Sequence, residues 1–229
     1  MVGMQRNGVG ILLLDTVEPY VIGDPGNAET FTFAVEYRKV PGATIERVLG
    51  RDRTLDSAFI SMARSLQAEG VRAISGCCGL FVNYQQVVSE AVALPVALSS
   101  LLQVPTIVAT LIKAQTLGIL VGSREREAPV MAALPERFRT SVVIAGVFDS
   151  GGAASAFRED GSIDTELFRH AVVTTANSLV LDNPSVVTIL LETSFFAPYA
   201  DAVRAEVNLP VYDFSTLIND LYDGTRIDE

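Results

Sequence analysis

Two stretches of the chain carry the same pattern of residues. Residues 74–102 read ISGCCGLFVNYQQVVSEAVALPVALSSLL, and residues 189–217 read ILLETSFFAPYADAVRAEVNLPVYDFSTL. Aligned without a gap, the two stretches match at several aliphatic positions, at Tyr84 and Tyr199, and in a Leu-Pro-Val tripeptide. Because the match includes tyrosine and proline and needs no gap, it indicates an internal duplication. Each copy predicts a strand, a polar turn, a helix and the entry to a second strand.

Strand-length apolar runs recur outside the two copies as well. Runs without polar alternation predict strands buried on both faces, which is typical of a parallel sheet. Helical patterns lie between them, at Thr54–Glu69, Tyr84–Val92 and Asp164–Leu181. The predicted strands are Val9–Leu14, Ala73–Ser75, Val96–Leu98, Thr116–Val121, Ser141–Gly146, Val186–Leu191 and Val211–Phe214.

This alternation predicts the α/β class, with two pseudo-symmetric lobes that each contain a mostly parallel sheet flanked by helices. We expect residues 1–112 together with 207–229 to form one lobe, and residues 113–206 to form the other. Small-molecule sites form at the carboxyl ends of parallel strands and between lobes. The duplication therefore predicts a ligand cleft between the two halves.

The composition of the 229 residues narrows the classes of partner. The chain is 49% hydrophobic and 19% charged, and its net charge of −10 disfavours nucleic acid. The most apolar stretch, 91–121, contains Pro95, Pro105 and Lys113, so we expect no membrane span. The two cysteines are adjacent and cannot connect distant segments, which favours a soluble protein of the reducing cytoplasm.

Cys78 is the candidate for chemistry, and Cys77 is interpreted as a small core residue. Cys78 precedes Gly79 and a helical pattern, where backbone N–H groups stabilise a thiolate. With one histidine, His170, and two adjacent cysteines, a zinc site is not expected. The phosphate-loop and dinucleotide motifs are absent, so we expect neither a metal nor a cofactor.

The ends of the predicted strands supply the remaining candidates. Cys78 and Thr193 occupy equivalent positions of the two copies, so they should face each other across the cleft. Hydroxyl and carboxylate groups at the other strand ends are expected to bind or orient a small carboxylate. The candidates for substrate binding are Asp15, Thr16, Asn27, Gly79, Ser99, Ser100 and Ser194.

The chain resembles the aspartate/glutamate racemase superfamily, in particular its branch near hydantoin racemase and arylmalonate decarboxylase. The resemblance covers about Gly8 to Tyr222 and implies flavodoxin-like lobes, no cofactor and a homodimer. Racemases of this family use two cysteines on opposite faces of the substrate; Cys78 matches the first, and Thr193 stands where the second is expected. The motifs are Leu14–Thr16, Gly23–Asn27, Gly70–Ile74, Cys78–Gly79, Ser99–Pro105, Leu191–Thr193 and Pro198–Ala200.

Threonine in place of the second cysteine affects the expected reaction. A threonine hydroxyl is much less acidic than a thiol and cannot take its place as an acid, although it can donate hydrogen bonds to a carboxylate. Whether Glu192 or Cys77 takes part is left open.

The leading hypothesis is a cofactor-independent racemase or isomerase that acts next to a carboxylate or carbonyl of a small amino-acid-like substrate. Cys78 is its base or nucleophile. The alternatives are a decarboxylase or lyase that uses one cysteine, and a ligand-binding protein without turnover. The segment Phe148–Asp164 is expected to be an exposed connection, with closure over the cleft as the alternative.

Overall fold

Two parallel sheets form the framework of the computed structural model, which describes residues 8–150 and 152–225. The first sheet has the order β2-β1-β3-β4 and the second the order β6-β5-β7-β8. All pairings between neighbouring strands are parallel. The strands are β1 (Val9–Leu13), β2 (Val35–Lys39), β3 (Ala73–Gly76), β4 (Val96–Ala97), β5 (Thr116–Val121), β6 (Val142–Gly146), β7 (Val186–Leu191) and β8 (Val211–Tyr212).

Helices connect the strands of each sheet and cover its faces. In the first half they are α1 (Ile45–Leu49), α2 (Asp56–Ala68), α3 (Gln85–Ala91) and α4 (Val104–Ala109). In the second half they are α5 (Glu127–Ala133), α6 (Glu136–Arg139), α7 (Thr165–Asp182), α8 (Ala200–Val207) and α9 (Phe214–Gly224). The predicted two-lobed α/β fold is therefore confirmed. Within the described part of the chain, no helix has the length and apolarity needed to cross a membrane.

The duplicated sequence folds into two equivalent units. In the first, β3 leads into a 3-10 turn at Gly79–Tyr84 and then into α3 and β4; in the second, β7 leads into a turn at Ser194–Tyr199 and then into α8 and β8. Because the two turns begin directly after the equivalent positions 78 and 193, the backbone presents Cys78 and Thr193 in the same way.

The aromatic residues shared by the two copies belong to the core. Phe59 of α2 stacks on Tyr84 at 4.1 Å between ring centroids and packs edge-on against Phe81 at 4.8 Å. In the second half, Phe168 of α7 contacts Tyr199 at 5.6 Å and Phe196 at 6.0 Å. The repeated phenylalanine and tyrosine therefore hold each 3-10 turn against a long helix.

Each half ends with a helix that packs against the sheet of the other half. Val104 and Ile107 of α4 join a buried cluster with Leu117 and Ile119 of β5, in the second sheet. Conversely, Phe214 and Ile218 of α9 fill a cluster on the first sheet. The strand β8 belongs to the second sheet, so the chain returns to the first sheet after Tyr212.

The sequence analysis missed one strand, β2, and did not predict the helices α1, α4, α5, α6 and α9. The β2 residues Val35-Glu36-Tyr37-Arg38-Lys39 are partly or fully exposed, because β2 lies at the edge of the first sheet. The run therefore lacks the continuous apolar pattern of a central strand. The other predicted strands and the three predicted helices are present within about two residues of their expected ends.

A close approach between strands at Gly76 provides a test of the packing. A methyl group at this position would lie 2.5 Å from the carbonyl oxygen of Leu98 and 2.8 Å from Cδ2 of Phe81. We expect Gly76→Ala to lower the free energy of unfolding by about 1–3 kcal/mol, because the backbone of Leu98 has to move. Gly224→Ala, where a methyl group meets nothing within 4 Å, is the control. Equal unfolding midpoints for the two variants in denaturant would contradict this packing.

Candidate active site

A cavity of about 250 Å³ opens at the carboxyl ends of the strands, between the two halves. Residues that directly follow β1, β3 and β7 line it, among them Leu14, Cys78 and Thr193. Both copies of the repeat thus contribute to one cavity, as the duplication predicts.

Cys78 lies at the wall of this cavity and is 9% exposed. Burial raises the pKa of its thiol to about 11, and the negative charge of Glu192 also raises it. The positive charge of Arg126 and the backbone N–H groups of Leu80 and Phe81 lower the pKa but do not outweigh burial. The thiol is therefore protonated at neutral pH: the backbone N–H groups of the turn favour the thiolate as expected, but burial outweighs them.

Cys77 is more deeply buried than its neighbour, at 3% exposed, although it also contacts the cavity. It packs in the core of the first sheet, and its sulfur lies 3.9 Å from the hydroxyl of Tyr20. Burial raises the pKa of this thiol well above its usual range, and the neighbouring Cys78 adds to the effect. This environment is that of a structural residue.

Thr193 and Glu192 approach from the opposite half of the molecule. Thr193 lines the cavity, and its hydroxyl donates a hydrogen bond of 2.8 Å to Oε2 of Glu192. Glu192 itself is fully buried, and burial raises the pKa of its carboxyl group. The charge of Arg126 and the hydroxyl of Thr193 lower that pKa.

Two charged side chains and a group of aromatic rings complete the wall. Arg126 and Glu18 bring one positive and one negative charge to the cavity. Phe195 is central to the rings: its centroid lies 6.3 Å from that of Tyr20 and 5.9 Å from that of Phe157. The wall can therefore contact a ligand with charge of either sign and with apolar substituents.

The segment predicted as an exposed connection contributes to this wall. Phe148 and Phe157 both line the cavity, and their ring centroids lie 5.9 Å apart. Both rings also pack against Phe168 of α7, which belongs to the core of the second half. In the described part of this segment, the two phenylalanines thus form one side of the cavity.

Ser194 lines the cavity, and Asp24 lies behind it. Oδ1 of the Asp24 carboxylate accepts the backbone N–H of Gly26, whereas Oδ2 has no hydrogen-bond partner among the described residues. Asp24 is fully buried, and burial raises the pKa of its carboxyl group to about 7, although the N–H of Gly26 and the hydroxyl of Ser194 lower it. The loop around Asp24 therefore supports the site although it does not line the cavity.

Of the predicted site residues, Cys78, Gly79, Thr193 and Ser194 come together around the cavity. The others lie behind or beside it and have structural contacts. Asp15 accepts the N–H of Gly42, and Asn27 caps a short turn and donates to the carbonyl of Tyr20.

Three further predicted hydroxyl groups lie outside the cavity lining as well. Ser99 donates to the carbonyl of Gly79, and Ser100 donates to the carbonyl of Glu192, so that each fixes a residue next to the site. The hydroxyl of Thr16 is buried without a hydrogen-bond partner among the described residues.

Sequence reasoning missed Arg126, Glu18 and the aromatic residues of the wall. A signal for Arg126 exists, because the Gly-Ile-Leu of β5 repeats that of β1 and the segment after β5 then corresponds to the segment after Leu14. Tyr20, Phe148 and Phe157 had no comparable signal, since they come from connections outside the repeat. Phe195 lies in the second copy but corresponds to Leu80, so the repeat gives no aromatic match for it.

The buried carboxyl group of Asp24 yields a prediction about stability. Its raised pKa means that the folded protein retains a proton that the unfolded chain releases between about pH 4 and about pH 7. This group therefore lowers the free energy of unfolding as the pH rises through that range. In Asp24→Asn the free energy of unfolding should fall less over this pH range than it does in the parent protein. In the control Asp201→Asn, which changes an exposed carboxyl group, it should fall as much as in the parent. Denaturant unfolding at several pH values measures this, and equal declines for Asp24→Asn and the parent would refute it.

Sequence comparison finds several curated relatives. The chain is 31% identical over 224 residues to dimethylsulfoniopropionate lyase 3 of Emiliania huxleyi (strain CCMP1516). This alignment covers 93% of this chain and 58% of the relative. It is 27% identical over 218 residues to a dimethylsulfoniopropionate lyase of Durusdinium sp. clade D, and this alignment covers 92% of this chain and 72% of the relative. The chain thus spans less than two thirds of the length of the first relative. No family model matches the chain.

Solved structures agree with the fold at low sequence identity. Unliganded arylmalonate decarboxylase aligns with a TM-score of 0.63 and 14% identity, covering 96% of this chain and 92% of that one. Allantoin racemase from Klebsiella pneumoniae aligns with a TM-score of 0.65 and 13% identity, and the alignment covers 95% of this chain and 87% of the racemase. Both neighbours have the fold predicted from the sequence resemblance. The chain therefore has the two-lobed α/β fold of the aspartate/glutamate racemase superfamily.

Proposed function

We propose that this protein is a lyase that removes a sulfonium leaving group from a small carboxylate, with dimethylsulfoniopropionate as the first substrate to test. Relatives with that activity in their names align with more than nine tenths of this chain. Their lengths exceed the aligned region, so the support has to come from the cavity as well. The observation that carries the proposal is the thiol of Cys78 at the cavity wall, among groups that suit the two ends of a zwitterion.

The charges of the cavity match those of such a substrate. Dimethylsulfoniopropionate carries a carboxylate at one end and a sulfonium cation at the other. The guanidinium of Arg126 is suited to bind the carboxylate. The rings of Tyr20, Phe157 and Phe195, together with the carboxylate of Glu18, are suited to a cation with methyl substituents, because aromatic faces attract such groups.

The reaction needs one base and no second acid. Cys78, as the thiolate, removes a hydrogen from the carbon next to the carboxylate. The electron pair of that C–H bond forms the carbon–carbon double bond while the bond from the β-carbon to sulfur breaks. Dimethyl sulfide leaves as a neutral thioether and acrylate remains. Racemisation, by contrast, needs an acid and a base on opposite faces of the substrate.

The residue at position 193 favours elimination over racemisation. Thr193 faces the cavity where a second thiol would be needed, and its hydroxyl already donates to Glu192. The positive charge of a bound sulfonium favours a thiolate nearby. Such a substrate therefore lowers the pKa of the buried Cys78 thiol. The racemase hypothesis stays a prediction, and exchange of α-hydrogens of amino acids and hydantoins in D₂O tests it.

Loss of the Cys78 thiol is the direct test of the proposal. The purified protein is incubated with dimethylsulfoniopropionate, and dimethyl sulfide and acrylate are quantified by gas chromatography and NMR. We expect Cys78→Ala to reduce kcat by about 10³-fold, because the general base is lost. Cys77→Ala, which removes the adjacent thiol, should change kcat less than about tenfold. Absence of both products with the parent protein, or equal rates for the parent and Cys78→Ala, would reject the proposal.

Recognition of the cation by the aromatic wall can be tested separately with two matched inhibitors. The compounds 3-(trimethylammonio)propanoate and 4,4-dimethylpentanoate have the same shape and differ by one positive charge. We expect the parent protein to bind the compound with the ammonium group more tightly. Phe195→Leu keeps an apolar side chain but removes the ring, so it should weaken binding of the ammonium compound by about three- to tenfold and change binding of its tert-butyl counterpart much less. Equal losses for both compounds would show that the ring contributes only its volume.

A further inference from the structure

Glu192 is buried at the point where the two halves of the molecule meet. It directly follows β7, and its backbone is fixed on both sides: its N–H donates to the carbonyl of Leu120, and its carbonyl accepts the hydroxyl of Ser100 from the first half. The side chain then crosses to the first half. Its Oε1 lies so close to Gly79 that a methyl group at that position would overlap the carboxyl group. Because Gly79 follows Cys78 directly, the carboxyl group lies beside the segment that holds the thiol.

The hydrogen bonds of this carboxyl group are incomplete. Oε2 accepts the hydroxyl of Thr193 at 2.8 Å, whereas Oε1 is buried without a hydrogen-bond partner among the described residues. A buried carboxylate oxygen without a donor is costly, and a proton on that oxygen removes most of the cost. This carboxyl group lies beside the segment of Cys78, and its negative charge raises the pKa of that thiol, so the two groups titrate as a coupled pair.

The charged and titratable groups around the pair come from both halves. Arg126, from the segment before α5, lowers the pKa of both Cys78 and Glu192 by its positive charge. Glu192 raises the pKa of Cys78, so the two groups are coupled. Cys77 adjoins Cys78, while Tyr20 and Glu18 line the same cavity.

We propose that Glu192 and Cys78 form a carboxyl–thiol pair that holds one exchangeable proton, and that Glu192 is a positioning residue which controls the thiolate of Cys78. The inference rests on the proposed function only in that Cys78 is the base. Thr193 then has a role that differs from that of a second cysteine: its hydroxyl holds the carboxyl group of Glu192 in place.

The proton balance of the pair is simple. With one proton present, the pair exists either as thiol and carboxylate or as thiolate and carboxylic acid, and the change from the first form to the second breaks the S–H bond and forms an O–H bond. When the thiolate removes the α-hydrogen of the substrate, the pair holds two protons. Release of one proton to solvent restores the starting state, and no oxidant, reductant or other co-reactant takes part.

A coupled pair has a characteristic pH dependence. The amount of thiolate rises with pH until the pair has lost its first proton. It then stays level, since the two singly protonated forms interconvert without exchange with solvent, and it rises again only when the second proton leaves. In Glu192→Gln the thiol ionises as a single group. Because the amide has no negative charge, this step lies at lower pH than the upper step of the parent protein.

Alkylation of Cys78 by iodoacetamide measures this dependence without reference to catalysis. The second-order rate constant is determined from pH 5 to pH 11, with mass spectrometry to follow Cys78 specifically. We expect two steps with a level region between them for the parent protein, and one step for Glu192→Gln. Above the level region, Glu192→Gln should react about tenfold faster at the same pH, which corresponds to a difference of about one pKa unit.

Two variants of Thr193 keep the inference testable if Glu192→Gln does not fold. Thr193→Val removes the hydrogen bond to Oε2 and should move the lower step to higher pH, whereas Thr193→Ser should restore the parent profile. Superimposable profiles for the parent and Glu192→Gln, or a single step in the parent, would overturn the inference. Two steps without release of dimethyl sulfide would overturn the proposed lyase activity and leave the pair in place.

Discussion

The contact between the carboxyl group of Glu192 and the backbone of Gly79 brings the ends of β3 and β7 together. Any side chain at position 79 would displace this carboxyl group, so the approach of the two halves depends on a glycine next to Cys78. The hydrogen bond from Ser100 to the carbonyl of Glu192 holds the same junction from behind. Together these contacts set how Cys78 and Thr193 face each other across the cavity.

The two halves have kept their core and changed their site. Phe81 and Phe196, like Tyr84 and Tyr199, pack in equivalent ways against a long helix, so selection for packing explains why they match. At the adjacent strand ends the halves differ, with a thiol in one and a carboxyl–hydroxyl pair in the other. A duplicated fold thus provides two similar supports for an asymmetric site, which suits removal of one hydrogen from one face of a substrate.

The elements that depend on local pattern could be predicted from the sequence. Continuous apolar runs marked the central strands, and the repeat by itself predicted that Cys78 and Thr193 share one cavity. Strand β2 escaped, because an edge strand has no continuous apolar run. Ser99 and Ser100 were expected in the pocket, yet their hydroxyl groups bond to backbone carbonyls, a choice that the residue type does not reveal.

Properties that depend on tertiary surroundings could not be obtained in this way. The turn after β3 suggested an acidic thiol at Cys78, but burial between the two halves dominates and raises its pKa. Likewise, Phe148 and Phe157 reach the cavity from connections whose paths the sequence does not specify. The charge and shape of a pocket built from several distant segments follow from packing and not from any one motif.

The reciprocal placement of α4 and α9 links the two halves topologically. If the backbone were cut between α4 and β5, the first fragment would lack the helix that covers Val9 and Ile11, and the second would lack the helix that covers Leu117 and Ile119. Each fragment would expose an apolar sheet face that only the other can cover, so the fragments would be stable as a reassembled complex and not apart.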